Sequence, residues 1–256
     1  MHWLVDIVTQ YVIPLFPLVM LTVLMTQFLQ ALYTKLFKRP KVTGYPVGDI
    51  EVGFGKFGPT IGLIGTLRSV NHDAFVSNVS LDLINSASGL TRSMTWRAFR
   101  PYSFGFVPDD SSTWEVASAF SLPVQIPFKY NIMFVDDAFL AAASPQVQDV
   151  RAHWEKAASG VSDPARLEEC FERFIRQPEI SAVMDRLREP FYWSSGKYEA
   201  VLNVHTSSPD KIHTKNFAFE LKDVDVEGFK GNIARILRAV CGLSTAFRYV
   251  HLEYQV

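Results

Sequence analysis

Several residue classes that would point to a familiar function are scarce in this sequence of 256 residues. Only two cysteines are present, Cys170 and Cys241, which are too few for a disulfide-stabilised scaffold and typical of a reducing compartment. The 25 basic and 26 acidic residues nearly cancel, so the composition carries no overall attraction for nucleic acid. We therefore do not expect nucleic acid to be a partner.

Catalytic and cofactor-binding motifs are also missing. The glycine-rich pieces at 53–55 and 62–65 lack the GxGxxG or GK[ST] spacing that places a helix N-terminus beneath a phosphate. No serine lies in a GxSxG context, which would mark a strained nucleophile turn. From these residues we predict no enzymatic activity and no cofactor.

Charge is absent from one long stretch near the N-terminus. Residues 7–34 form a run of 28 uncharged residues between Asp6 and Lys35. A membrane-spanning helix needs about 20 mostly apolar residues. A cleaved signal peptide would have a basic start and a small-residue cleavage site, and this sequence has neither. A buried core helix rarely stays uncharged for so long. The sequence thus predicts a transmembrane anchor over residues 1–36.

The flanking charges predict the orientation of this anchor. No lysine or arginine precedes the run, whereas four follow it closely: Lys35, Lys38, Arg39 and Lys41. The positive-inside rule then places the N-terminus outside and the rest of the chain in the cytoplasm, as a single-pass protein of, we expect, a bacterial inner membrane. The same cations can meet anionic headgroups, so the lipid bilayer is the first expected partner.

Polar residues recur at every fourth position within the apolar run. This stripe consists of Thr22, Thr26, Gln30 and Thr34. Polar side chains in lipid commonly face another helix, which predicts a homo-oligomer or a protein partner bound through the helix. The alternative is that the threonine hydroxyls bond to their own helix backbone, and the sequence leaves both interpretations open.

The remaining sequence predicts a mainly β domain. Residues 37–58 contain Pro40, Pro46 and five glycines and predict a basic, glycine-rich linker that ends in an irregular strand near 50–57. From residue 59 the hydrophobic period becomes two, which is typical of half-buried strands. The predicted strands are 75–83, 94–98, 113–122, 124–134, 197–206, 213–222 and 247–256.

Two stretches have the helical period instead. Residues 144–190 predict a helical insertion, in which Ser144 and Asp163 each precede a proline and are suited to cap a helix. Residues 225–241 predict a further helix that stops at Gly242. Residues 59–256 are therefore predicted to form an antiparallel β-sandwich of α+β content, with immunoglobulin-like architecture possible, a helical insertion and a C-terminal helix and strand.

Histidines supply the one candidate metal site. If residues 206–212 form a hairpin loop, His205 and His213 lie opposite each other, and His251 can approach from the last strand. Three imidazoles would suit zinc and would support a metal enzyme. All three are expected on the polar strand face, where solvated histidines are common, so we predict no bound metal.

These observations favour a membrane-anchored protein that presents its cytoplasmic β domain as a binding module. The alternative is a membrane effector, in which the β domain senses a signal and the helices associate to alter membrane permeability. The two hypotheses differ in whether the polar stripe is needed for function.

Overall fold

The computed structural model describes residues 13–38, 40–99, 115–124, 126–207 and 210–255. Its helices are α1 (Ile13–Phe37), α2 (Asp137–Ala157), α3 (Pro164–Phe174), α4 (Pro178–Arg188) and α5 (Asp223–Val240). Its strands are β1 (Lys41–Gly55), β2 (Gly58–Val70), β3 (Ala74–Asn85), β4 (Thr91–Phe99), β5 (Glu115–Val116), β6 (Phe120–Leu122), β7 (Phe128–Val135), β8 (Gly196–Ser207), β9 (Asp210–Leu221) and β10 (Tyr249–Glu253).

All these strands belong to one mostly antiparallel sheet. The strand order is β10-β1-β2-β7-β4-β3-β8-β9, and the short strands β5 and β6 pair with β4 and β3. Each neighbouring pair along this path is antiparallel. The predicted alternation of apolar residues is present, because inward-facing positions of β3, β7 and β8 are buried at every second residue outside the bulges.

The two ends of the strand path meet, which makes the sheet barrel-like. Ala218 in β9 and Gln255, just after β10, exchange two backbone hydrogen bonds of 2.8 and 3.0 Å. Nearby, the backbone N–H of Val42 donates to Nδ1 of His213 over 3.3 Å. Tyr254 packs against Phe217 with ring centroids 5.6 Å apart, and its hydroxyl donates to a β2 carbonyl. Side-chain and backbone contacts together therefore close the seam between β9 on one side and β10 and β1 on the other.

The predicted two-sheet sandwich is not what the structure shows. Period-two alternation reports that one strand face is buried, and it is the same for a sandwich and for a sheet that curls onto itself. The contacts between Ala218 and Gln255 distinguish the two, since they join the two ends of the strand path. The mainly antiparallel β character with a few helices is confirmed.

The barrel interior and the helices share one hydrophobic core. Its largest fully buried side chains include Phe54, Tyr130, Phe134, Tyr198 and Phe219. The lack of a side chain at Gly65 leaves room for the Tyr130 ring, because a Cβ at this glycine would lie 2.3 Å from the phenol oxygen. Large aromatic side chains thus fill the barrel, and burial of such apolar area stabilises the fold.

Helices α2 to α5 lie at one end of the barrel, which we call the helical end. The β1–β2 turn lies there, β7 leads into α2, α4 precedes β8, and β9 leads into α5. The opposite end, where α1 leads into β1, is the entry end. It also carries the β2–β3 turn and the connection from β6 to β7.

Aromatic contacts join the helical end to the sheet. The Phe54 ring lies 5.2 Å from Phe139 of α2 and 5.1 Å from Phe191, measured between centroids. The buried indole of Trp193 donates to the carbonyl of Gly53 over 3.0 Å. The helical insertion therefore packs on the barrel.

The helix starts follow from local capping, with one correction. Asp163 caps α3 by accepting from the N–H of Ala165, as predicted. Ser144, however, is not a helix start, because α2 begins at Asp137 and continues through Pro145. Asp136, 3% exposed, caps this helix by accepting from Phe139. A proline inside a helix costs about 3 kcal/mol, and burial of the upstream helix turn offsets that cost.

Two further sequence predictions concern segment boundaries. The glycine-rich stretch predicted as a linker is strand from Lys41 onward, with a bulge between Pro46 and Ile50. Strand β7 begins only after Pro127, which has no N–H to donate to a neighbouring strand. Of the strand predicted over 113–122, residues 113 and 114 lie outside the described residues.

Candidate functional site

A groove of about 880 Å³ runs across the outer face of the barrel near the helical end. Strands β1, β4, β5, β7 and β10 and the start of α2 contribute to it. Its lining residues are Glu51, Lys56, Phe57, Arg97, Ala98, Glu115, Val116, Met133, Val135, Leu140, Phe247 and Tyr249. The middle of this lining is apolar and the charged side chains lie around it, which is the usual character of a binding pocket.

Glycines make room for the aromatic side of the groove. A Cβ at Gly53 would lie 2.2 Å from Cδ1 of Tyr249, and one at Gly55 would lie 2.5 Å from its hydroxyl oxygen. The Tyr249 ring therefore lies directly on the β1 backbone. Any larger residue at either glycine would push the ring outward into the groove.

The position of Tyr249 is fixed from α5. Asn232 of α5 is fully buried, donates to the carbonyl of Arg248 over 2.7 Å and accepts from its N–H over 3.0 Å. Gly228 lets the Arg248 side chain lie against the same helix. Because Arg248 directly precedes Tyr249, these contacts determine where β10 begins.

An ion pair and a histidine–glutamate contact border the groove. Arg97 of β4 and Asp137 of α2 form an ion pair of 2.6 Å, with both side chains about half exposed. His251 lies 3.9 Å from Glu51 on the neighbouring strand. Exposed pairs of this kind contribute little to stability, and here they mainly fix charge positions beside the apolar lining.

Burial strengthens the hold of the Tyr249 phenol on its proton. Desolvation, with the nearby Glu51 carboxylate adding to it, raises the pKa of Tyr249 to about 12. The hydroxyl is therefore a neutral hydrogen-bonding group well into the alkaline range. The groove combines an apolar surface, one neutral phenol and charges of both signs, which suits binding of an apolar group with polar neighbours.

A smaller cavity of about 240 Å³ continues the groove toward the helices. Lys56, Phe57 and Leu140 line both spaces, and α2 and α5 supply most of the remaining surface. Phe57, at the β1–β2 turn, is 43% exposed and forms the ridge between them. A ligand that covers this ridge would contact both the barrel and the helices.

The structure does not bring the three candidate histidines together. His205 pairs with Ile212, and His213 pairs with Val204, so the two side chains lie on opposite faces of the sheet. His213 is 9% exposed and bonds to the β1 backbone, whereas His205 lies 3.3 Å from the Ser80 hydroxyl on the outside. His251 belongs to the groove border. Among the described residues, no group of three or more His, Cys, Asp or Glu could hold a metal.

The N-terminal apolar run is α-helical from Ile13 to Phe37. Its described apolar side chains are exposed, with Leu21 and Leu24 at 59% and 58%. In the part of the chain that the structure describes, no helix combines the length and hydropathy of a membrane span. The predicted span covers 7–34, of which residues 7–12 lie outside the described residues.

The polar stripe and the basic cluster are described in part. The hydroxyl of Thr26 donates to the carbonyl of Thr22 over 2.7 Å, one turn back in α1. Gln30, Lys38 and Lys41 are exposed. The side chains of Thr34 and Lys35, and the whole of Arg39, lie outside the described residues.

Sequence reasoning did not find the groove. Its lining comes from five strands and a helix, and only the glycine-rich stretch of β1 was visible as unusual. The glycines and prolines of that stretch predict a linker, but alternating small residues in a strand also indicate close approach of another group. Comparison with known proteins adds no assignment, since no known family matches this chain and no curated protein is significantly similar to it.

Proposed function

We propose that this protein is a membrane-tethered binding module. Helix α1 anchors the chain as a single-pass span, the barrel lies in the cytoplasm, and the groove at the helical end binds an apolar segment of a protein partner. The observation that carries the proposal is the separation of these features: the apolar helix enters one end of the barrel and the groove lies near the other.

The properties of α1 support the anchor. It has 25 residues, and at 1.5 Å per residue such a helix is about 37 Å long, enough for a hydrocarbon core of about 30 Å. The proposed span is the whole uncharged run of residues 7–34, which begins before the described part of the helix. Exposed leucine, methionine and phenylalanine side chains along α1 would be costly in water and favourable in lipid.

The internal bond of Thr26 favours a tether over a self-associating effector. Because its hydroxyl already donates to the Thr22 carbonyl, this member of the polar stripe needs no partner helix to satisfy it. Residual pairing through Gln30 would contribute only about 0.6 kcal/mol, as measured for typical hydrogen bonds between membrane helices.

The groove can be tested by photocrosslinking in intact cells. A benzoylphenylalanine replacing Phe57 should form a defined crosslink, and the additional substitution Met133→Arg, which places a charge on the groove lining, should abolish it. The control probe replaces Val224, which is 59% exposed and does not line the groove. Equal crosslinking from both positions, or no effect of Met133→Arg, would contradict a partner in the groove.

The anchor is tested on the same cells by alkaline carbonate extraction. The full chain should remain in the membrane pellet. Recovery of the protein in the supernatant would contradict the anchor whether or not the groove binds a partner, so the two parts of the proposal fail separately.

A further inference from the structure

The entry end of the barrel carries a cluster of exposed apolar side chains. Val70 precedes the β2–β3 turn, Phe75 follows it, Ile126 lies between β6 and β7, and Ile212 lies near the start of β9. Their exposed fractions are 39%, 45%, 61% and 51%, respectively. Since these four residues come from three separate connections, their clustering at one end is a property of the fold rather than of one loop.

Exposed cations lie at the same end of the barrel as this apolar cluster. Lys41 pairs with Val70, and Arg68 follows on the same outer face of β2, opposite Thr43. Lys129 begins the outer face of β7, and Lys38 lies at the junction between α1 and β1; all four cations are exposed. The acids at this end include Asp73, which accepts from the N–H of Val124 over 2.7 Å, and Asp210, which begins β9, so the named cations outnumber them. The entry end is thus apolar and basic.

The helical end has the opposite balance. Residues 136–190, which include α2 to α4, contain 11 acidic and 7 basic residues. Several of these form ion pairs, such as Arg188 with Asp185 over 2.7 Å. The charge balance therefore differs between the end at which β1 begins and the end that carries the helices.

We propose that the entry end is a membrane-docking surface that rests on an anionic bilayer. The cations would meet lipid headgroups while Val70, Phe75, Ile126 and Ile212 enter the interface beneath them. Mixed basic and apolar surfaces bind anionic membranes through both contributions. This inference rests on the proposed anchoring by α1, whose C-terminal end lies at the same surface, and it adds a fixed orientation of the barrel.

Docking leaves the groove available. The groove lies toward the helical end, so a docked barrel would present it away from the bilayer, facing the cytoplasm. An undocked barrel on the same anchor would instead present the groove in all directions. The docking surface would therefore control how a cytosolic partner meets the groove.

Site-specific fluorescence on the full-length protein tests this inference. The chain is reconstituted into vesicles of phosphatidylcholine, with or without phosphatidylserine, in both cases with brominated lipid. An environment-sensitive probe is attached to Ile126→Cys or Ile212→Cys in a Cys170→Ser background, since Cys241 is buried. The control probe is on Val224→Cys at the helical end, which is 59% exposed.

Docking predicts quenching at positions 126 and 212, stronger with phosphatidylserine, and little quenching at 224. The double variant Arg68→Gln and Lys129→Gln keeps the charges that set helix orientation, and it should lower the ratio of docked to undocked barrel on the order of tenfold. A matched variant at the helical end, Lys156→Gln with Arg186→Gln, should leave this ratio unchanged.

Two outcomes would overturn the inference, and both differ from failure of the anchor. Equal quenching at 126, 212 and 224 in vesicles that retain the protein after carbonate extraction would show an anchored but undocked barrel. Unchanged quenching in the Arg68 and Lys129 double variant would exclude electrostatic docking. Loss of the protein on carbonate extraction would instead contradict the proposed function itself.

Discussion

The two ends of the barrel are built differently. At the helical end, apolar side chains are covered by α2 to α5, buried aromatic rings meet edge to face, and aspartates cap the starts of α2 and α3. At the entry end, apolar side chains remain exposed among cations, and one long helix with exposed apolar residues leads into β1. The hydrophobic effect accounts for the covered end, and the proposed docking would cover the apolar side chains of the other end with lipid.

The largest expected effect concerns the helix of the entry end. Replacing Leu21 and Leu24 together by arginine should release the protein from the membrane, because each arginine near the centre of a span costs about 2.5–3.5 kcal/mol of insertion. The barrel should keep its folded stability, since these side chains are exposed. Membrane fractionation together with thermal unfolding monitored by circular dichroism measures both quantities.

The matched control for this variant is Leu21→Ala with Leu24→Ala, which keeps the segment apolar and should leave the protein in the membrane. If the double arginine variant stays in the pellet, or if it unfolds the barrel, then the helix belongs to the packed part of the molecule and the contrast between the ends is lost.

A single methyl group added at Gly58, in the helical end, should strongly destabilise the protein. Gly58 has φ +78°, and a Cβ there would lie 2.1 Å from the Phe139 ring. Gly58→Ala should lower the free energy of unfolding by about 2–4 kcal/mol, through left-handed backbone strain and overpacking. Urea denaturation measures this change.

The control for that prediction is another glycine of the helical end. Gly231 lies in α5 with open space around its Cα, so Gly231→Ala should raise stability by about 0.5–1 kcal/mol through helix propensity. Equal effects of the two alanines would contradict the close packing of the β1–β2 turn against α2.

The burial of Tyr249 in the groove near the helical end should be measurable in a pH titration. The pKa of Tyr249 is raised from 10.0 to about 12 by burial and by Glu51. The folded state therefore holds the phenol proton more tightly than the unfolded state, and this contribution to stability is lost as pH rises from 10 to 12. Tyr249→Phe should reduce the alkaline loss of stability by roughly 1–2 kcal/mol.

Denaturant midpoints measured for both proteins from pH 9 to 12 test this sign. Burial also raises the pKa of Tyr130 and Tyr254, which remain in both proteins, so the difference isolates Tyr249. An unchanged alkaline slope in Tyr249→Phe would place the phenol in solvent rather than on the β1 backbone.

The smallest expected effect concerns the polar stripe of α1. Replacing Thr26 and Gln30 together by leucine should leave membrane retention and oligomeric state unchanged, since Thr26 bonds within its own helix. Native mass spectrometry of the full-length protein in lipid discs, with dye leakage from vesicles, makes the measurement. Loss of an oligomer and of leakage in this variant would favour the effector hypothesis over the tether.

Local patterns predicted the elements better than their assembly. The alternation over 197–206 and 213–222 anticipated β8 and β9, and Gly242, with φ +74°, ends α5 as expected. Closure of the sheet depends on contacts such as Ala218 with Gln255 and Val42 with His213, which no local period encodes. The start of α2 was missed because Ser144 and Pro145 resemble a helix start more strongly than Asp136.

For the candidate site too, the sequence predicts local features but not how distant segments come together. The glycines of β1 are visible in the sequence. The structure shows why glycine is needed there, because the Tyr249 ring, from the other end of the chain, lies on the β1 backbone. The prediction that His205 and His213 lie opposite each other was wrong by one residue of hairpin register. A shift of one residue is enough to turn a side chain to the other sheet face. A site assembled from several strands depends on register and closure, which composition and spacing do not supply.

Accessibility of the barrel in sealed membrane vesicles tests whether the barrel is tethered to the cytoplasmic face of the membrane. Val224→Cys in the Cys170→Ser background carries one exposed thiol at the helical end, which a membrane-impermeant maleimide can label. A tethered barrel should be labelled in inside-out vesicles, and the labelled protein should remain in the membrane after carbonate extraction. In right-side-out vesicles the thiol should be protected until detergent is added. Labelling in intact right-side-out vesicles, or recovery of the thiol in the soluble fraction, would contradict a barrel tethered to the cytoplasmic face.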